Sequence, residues 1–200
     1  MYPKPDLILF ASTNSGKAVE VKRIGSAHGI KVVLPAELER GLPPEVAETG
    51  LTFQANAKLK AEALYAWSGV PTLGDDSGLE VDALNGAPGI HSARYAGPQA
   101  SDEDNRAKLL SALQGVKRRT ARYRSALCLK LNQEQLLMAD GVLEGEIAHA
   151  EAGTGGFGYD RLCIIAGTGM TLAQLKEQGV EVETHRVQAL RKLFARLKSG

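Results

Sequence analysis

Cysteine is scarce in this 200-residue chain, and so is any excess of charge of one sign. Its two cysteines, Cys128 and Cys163, lie in separate apolar runs. Neither has CxxC or zinc-type spacing. That excludes a cysteine-built metal centre and a disulfide scaffold, so both read as reduced, buried thiols. Twenty-four basic and 23 acidic residues leave a formal net charge of +1. A dedicated nucleic-acid binder carries a clear basic excess, and none is found here. A small anionic ligand needs only a few local cations and stays compatible with that balance. No run of about 18 apolar residues occurs, and residues 1–6 do not read as a signal peptide. The expectation is a soluble, cytoplasmic protein with neither membrane nor nucleic acid as partner. Internal repeats, low-complexity tracts and linkers are also missing.

What is present is a 44% hydrophobic content, enough for a sizeable core. The length suits one bilobed domain, 1–200. Residues 7–11 form a short apolar run that reads as a buried strand entering a loop. Val21, Ile24 and Ala27 then recur at helical spacing from Lys17, and Gly29 closes that helix. A second strand covers 30–34, and a proline-containing, acidic loop covers 35–50. A helix rich in Ala, Leu and Lys is predicted over 52–68. A short strand at 70–73 leads into a turn, Gly74-Asp75-Asp76-Ser77-Gly78, followed by a strand at 79–84. Ser101 is a good N-cap for a helix over 102–113, with Asp104 three residues on. Strands at 123–131, 135–142 and 143–148 suggest a meander. A further strand is predicted at 162–165 and a final amphipathic helix at 185–198. The alternation implies an α/β fold with a mixed sheet.

Four patches have the composition of a chemical site. Ser12, Thr13, Asn14, Ser15, Gly16 and Lys17 join the first strand to the first helix. A helix start offers unpaired N–H groups and partial positive charge to a phosphate. The Walker pattern is missing, and an ordinary capped helix would read the same way. Asp75, Asp76, Ser77 and Gly78 follow a strand, where carboxylates suit a hard cation such as Mg²⁺ or take a proton from water. An Asx-turn is the plain alternative. The stretch 153–160 holds four glycines with Phe157 and Tyr159. Either ring could stack on a base, at roughly 1–3 kcal/mol, or belong to the core. Thr184, His185 and Arg186 open the last helix, where cations oppose the helix dipole.

The order of these patches is more specific than any one of them. The series comprises Ser12, Asn14 and Lys17; Glu48-Thr49-Gly50 with Thr52-Phe53 and Asn56-Ala57; and Asp75-Asp76-Ser77-Gly78-Leu79. It continues with Gly86, Pro88-Gly89 and Ser92-Ala93-Arg94-Tyr95, then Gly155-Gly156-Phe157-Gly158-Tyr159-Asp160, and ends at His185-Arg186 with Ala189-Leu190. It closely resembles the inosine triphosphate pyrophosphatase family, also called dITP/XTP pyrophosphatase, over nearly the whole chain. The resemblance implies a long twisted mixed sheet, with helices forming two lobes around a central cleft, in a homodimer. It implies Mg²⁺-dependent hydrolysis of inosine, deoxyinosine and xanthosine triphosphates to a monophosphate and pyrophosphate.

By motif position, the resemblance makes Asp76 the catalytic carboxylate and a metal ligand, with Glu48 as the second ligand. It assigns phosphate to residues 12–17, Lys60 and Ser77. It assigns the base to Phe157, Gly158, Tyr159, Asp160, His185 and Arg186. The chain departs from the family pattern at three points. Ala47 replaces an acid, Arg161 replaces a proline, and Val180 stands where a substrate-contacting lysine is usual. Lys176 and Arg161 are the nearby cations. A different base preference, or nucleotide binding with little turnover, are the alternatives these departures leave open.

Overall fold

The computed structural model describes residues 2–198. In chain order its main elements are β1 (Tyr2–Pro3), β2 (Leu7–Phe10), α1 (Ser15–Ala27), β3 (Lys31–Val33), α2 (Phe53–Ser68) and β4 (Thr72–Val81). Then follow α3 (Asp102–Ala112), β5 (Thr120–Lys130), β6 (Leu136–Ile147), β7 (Cys163–Ile165), α4 (Leu172–Glu177), α5 (His185–Phe194) and β8 (Leu197–Lys198). Six strands form one sheet in the order β3-β2-β4-β5-β6-β7. β2 runs parallel to β3 and β4, whereas β6 and β7 are antiparallel. The fold is therefore α/β with a mixed sheet, as the sequence suggested.

The chain divides into two compact units. The first comprises 1–76, 125–141 and 185–200, and the second comprises 77–124 and 142–184. β4, β5 and β6 each contribute residues to both. In the first unit, β2 is buried on both faces, which is why its sequence is a continuous apolar run. Ile8 and Phe10 join Val21 and Ile24 of α1 and Leu190 and Phe194 of α5 in one core cluster. Leu9 and Ala11 point the other way, into a cluster with Val33 and Leu64 of α2. In the second unit, Leu79, Val81, Tyr123, Leu143 and Ile147 pack with Leu109 of α3 and Leu172 and Leu175 of α4.

Caps set the helix boundaries. Asn14 accepts a hydrogen bond from the Lys17 N–H, so α1 opens at Ser15, two residues before the predicted start. Thr52 caps α2, and Gly69 ends it in the left-handed conformation. Ser101 and Asp104 form the reciprocal box that the sequence showed at α3. Helix α4 was not predicted. Its six residues are too few for periodicity, although Thr171 and Gln174 make a second such box.

Three expectations are corrected. The acidic segment 74–78 is not a turn: β4 runs unbroken from Thr72 to Val81. The two predicted strands at 135–142 and 143–148 are one strand, β6. The last helix stops at Phe194, and Leu197–Lys198 instead pair in parallel with Tyr2–Pro3. The first of these matters most, because a strand alternates its side chains between faces. Asp75 therefore shares a face with Leu73, towards α1 and α5, and Asp76 shares the opposite face with Gly74, towards α2.

Gly74 is what lets β4 lie against α2. A Cβ there would come within 2.1 Å of the Ala57 carbonyl oxygen and 2.8 Å of the Ala61 nitrogen, both backbone atoms. Gly74→Ala is expected to cost about 1–3 kcal/mol through forced overpacking. Gly41, with nothing within 4 Å of its added Cβ, serves as the control. Urea denaturation of both alanine variants checks this, and equal midpoints would refute it.

Candidate active site

Within the first unit, the two faces of β4 carry two different charge clusters. Asp75, 1% exposed, accepts from the Ser125 hydroxyl at 3.1 Å and from Arg186 Nε at 2.8 Å. Lys17 Nζ lies 3.3 Å from the same carboxylate. Arg186 is also 1% exposed and pairs through Nη1 with Glu20 of α1. Burial alone would raise the Asp75 pKa, but Arg186 and Lys17 outweigh it and hold the carboxyl well below the usual carboxylate range. Burial lowers the pKa of Lys17; Asp75 opposes that, and Arg186 adds to it.

On the other face, Asp76 accepts from the Asn56 amide and from Lys60 Nζ, both at 3.1 Å. Lys60 also pairs with Glu48 at 2.5 Å and donates to the Asp75 carbonyl oxygen at 3.1 Å. Burial and the neighbouring Glu48 raise the Asp76 pKa, and Lys60 offsets only part of this. The Lys60 ammonium is opposed by burial but raised by Asp76 and Glu48. Two carboxylates thus converge on one cationic position. Asn56 further holds the Glu48 loop, accepting from the Gly50 N–H at 2.8 Å.

The start of α1 completes this unit's polar surface. Thr13, Asn14 and Ser15 are exposed, and Ser12, Gly16 and Lys17 half-buried. His185 opens α5 and is buried. Its carbonyl oxygen lies against Gly141, where an added Cβ would come within 1.8 Å.

The glycine-rich loop belongs to the second unit. Asp160, 4% exposed, accepts from the Tyr123 hydroxyl at 3.0 Å, the Phe157 N–H at 3.1 Å and Lys176 Nζ at 2.8 Å. Gly156 has φ +79°, and a Cβ there would sit 2.1 Å from Asp160 Oδ2, so only glycine lets the loop fold over that carboxylate. Gly158 donates to Asp102 at 2.7 Å, and its carbonyl accepts from Arg106 at 3.0 Å. Tyr159 is buried in the core, and its hydroxyl donates to the Ser92 carbonyl at 2.8 Å. Phe157 is the half-buried ring. A cavity of about 340 Å³ is lined by Phe157, Gly155, Asp102, Arg106 and Arg161, among others.

The sequence reading placed Lys17, Lys60, Asp76 and Glu48 together, and in the structure they lie in one unit. It placed Arg186 with the base-contacting loop, whereas the guanidinium is taken up by Asp75 and Glu20. Glu20, Asn56 and Ser125 were not singled out as site residues. Ser125 is the polar residue that opens the buried run 125–129 of β5, and Glu20 sits one helical turn beyond Lys17. Those are the signals that could have found them. Ser77 is half-buried in β4.

Comparison with known proteins decides the family. The Ham1 family model matches residues 8–196. The chain belongs to the Ham1 family. Its Ham1 relatives include the dITP/XTP pyrophosphatase of Methylococcus capsulatus, 44% identical over 196 residues, 96% of each chain. The dITP/XTP pyrophosphatase of an Exiguobacterium species is 45% identical over 190 residues, covering 95% of this chain and 96% of that one. The solved HAM1 protein of Coxiella burnetii superimposes with a TM-score of 0.84 at 38% identity, over 94% of this chain and 96% of that one. The six ordered motifs and the matched Ham1 family agree.

Removing the Asp75 charge leaves Arg186 buried beside one carboxylate fewer. Asp75→Asn is therefore expected to destabilise the fold by about 3–5 kcal/mol, measured by urea unfolding at neutral pH. A carboxyl held below its ordinary value stabilises fully above that value and loses the contribution as pH falls through its folded pKa. The wild-type advantage over Asp75→Asn should thus be constant near neutrality and shrink below about pH 4. An advantage that grows in acid would contradict the pairing.

Proposed function

We propose that this chain hydrolyses purine nucleoside triphosphates carrying a 6-oxo base, giving the monophosphate and pyrophosphate, with Mg²⁺ as the metal. The observation that carries the reading is the charge balance around β4. Lys17, Lys60 and Arg186 face Glu20, Glu48, Asp75 and Asp76. Three cations against four carboxylates leave one negative charge, which repels a triphosphate. One divalent cation reverses that sign. The chemistry of the relatives named dITP/XTP pyrophosphatase fits a cluster built this way.

The donor set also suits the ion. Among the described residues, no group of three or more His, Cys, Asp or Glu side chains is placed to hold a metal. Asp76 and Glu48 are two carboxylates around one position, both now on Lys60. Mg²⁺ is characteristically held by one or two carboxylates, with water and substrate phosphates filling the remaining sites. When bound, the ion supplies charge neutralisation and Lewis acidity at the phosphates. Asp76, its pKa raised by burial, holds the attacking water and takes its proton. The water oxygen bonds to the α-phosphorus as the bond to the α–β bridging oxygen breaks. Negative charge moves onto the pyrophosphate, where Lys17, Lys60 and the start of α1 oppose it. Ser77 adds a hydroxyl to the phosphate contacts.

The homodimer and the cytoplasmic location implied by the family resemblance belong to the same proposal. Among the described residues, no helix is long and apolar enough to cross a membrane.

With dITP and Mg²⁺, the protein should release pyrophosphate without free orthophosphate, and EDTA should stop it. Asp76→Asn should lower turnover by roughly 10²–10⁴-fold while keeping its circular dichroism spectrum. Orthophosphate as the product, or near-normal turnover in that variant, would remove Asp76 from this role.

A further inference from the structure

Lys60 uses every donor it has. An ammonium carries three N–H donors and no acceptor. Its Nζ lies 2.5 Å from Glu48, 3.1 Å from Asp76 Oδ1 and 3.1 Å from the Asp75 carbonyl oxygen. The family resemblance gives this lysine to phosphate, yet as placed it has no N–H left to offer one. Phosphate contact therefore requires that it release what it holds. The two oxygens of Asp76 are held differently. Oδ2 accepts from the neutral Asn56 amide, and Oδ1 accepts from Lys60. Asn56 and Lys60 stand one turn apart on α2. Asn56 also accepts from the Gly50 N–H, two residues past Glu48. When Lys60 lets go, Asn56 still holds both Asp76 and the Glu48 loop. Two positioned carboxylates are left behind.

We propose that Lys60 is a built-in counter-ion of the Glu48–Asp76 pair, which it yields to a divalent cation as its ammonium passes to the substrate's phosphates. The proposal rests on the reading that Glu48 and Asp76 hold the ion. The ammonium and a divalent cation compete for the same oxygens. Mg²⁺ takes carboxylate oxygens at about 2.0–2.1 Å, and a second positive charge at hydrogen-bond distance from those oxygens repels it. A triphosphate offers the ammonium several anionic acceptors in exchange. The flexible four-carbon stem of lysine permits the move. Asn56, being neutral, has no reason to leave. The exchange couples the two ligands: phosphate draws Lys60 off the carboxylates and raises their affinity for the cation. By linkage, the cation raises the affinity for phosphate by the same factor. Without phosphate, Lys60 keeps cation binding weak.

The test is Mn²⁺ binding to the protein with no nucleotide present, followed by electron paramagnetic resonance of the free ion. Lys60→Met should bind Mn²⁺ about tenfold or more tightly than wild type, because the competing charge is gone. Lys17→Met removes a cation from the opposite face of β4 and leaves Lys60 in place, so its gain should be smaller. Equal affinities in wild type and Lys60→Met overturn the proposal, and so does a larger gain in Lys17→Met. Circular dichroism identifies a misfolded Lys60→Met, for which Lys60→Gln supplies the same comparison with donors kept and charge removed. Adding Asp76→Asn to Lys60→Met should abolish the gain. If Asp76→Asn alone weakens Mn²⁺ binding but Lys60→Met brings no gain, the exchange fails and the ligands stand. If Mn²⁺ binds the double variant as tightly as Lys60→Met, or binds none of these proteins, the reading of the ligands fails as well.

Discussion

The buried pair between Asp75 and Arg186 is the constraint around which the first unit is arranged. Both groups are almost fully removed from solvent, so neither is tolerable without the other. Their union fixes the start of α5 against β4. Glu20 takes the other end of the same guanidinium and brings in α1. Lys17, on the same helix, then reaches Asp75. A carboxylate that looks like a metal ligand in the sequence is instead the counter-ion that holds two helices in register.

That arrangement leaves Asp76 to the opposite face of β4. Because β4 is a strand and not a turn, consecutive aspartates face opposite ways. Asp75 is locked by arginine and lysine, whereas Asp76 meets Asn56, Lys60 and Glu48. Gly74 permits the close approach of α2 that brings those partners in. The same strand therefore presents two adjacent carboxylates to two different charge clusters.

Much of this was legible in the sequence, for identifiable reasons. The core strands were visible as apolar runs, and α1, α2 and α3 were visible through their caps and spacing. Lys17, Lys60, Asp76 and Glu48 were picked out through ordered motifs, and all four lie in the first unit. The continuity of β4 was not legible, because Asp-Asp-Ser-Gly has turn composition and its polar groups are satisfied by residues distant in sequence, such as Asn56, Ser125 and Arg186. The role of Arg186 was hidden for the same reason. Its partners Glu20 and Asp75 lie far from it in the chain, and a helix-opening arginine gives no sign of burial. In the second unit, Gly156 and Asp160 were visible as loop composition. The Lys176 contact depends on α4, a helix too short to announce itself.

The central chemical claim is that a water held at Asp76 attacks the α-phosphorus. Hydrolysis of dITP in ¹⁸O-enriched water, with mass analysis of both products, tests it most directly. The account predicts one ¹⁸O atom in the nucleoside monophosphate and none in the pyrophosphate. Label in the pyrophosphate would place the attack at the β-phosphorus and contradict it.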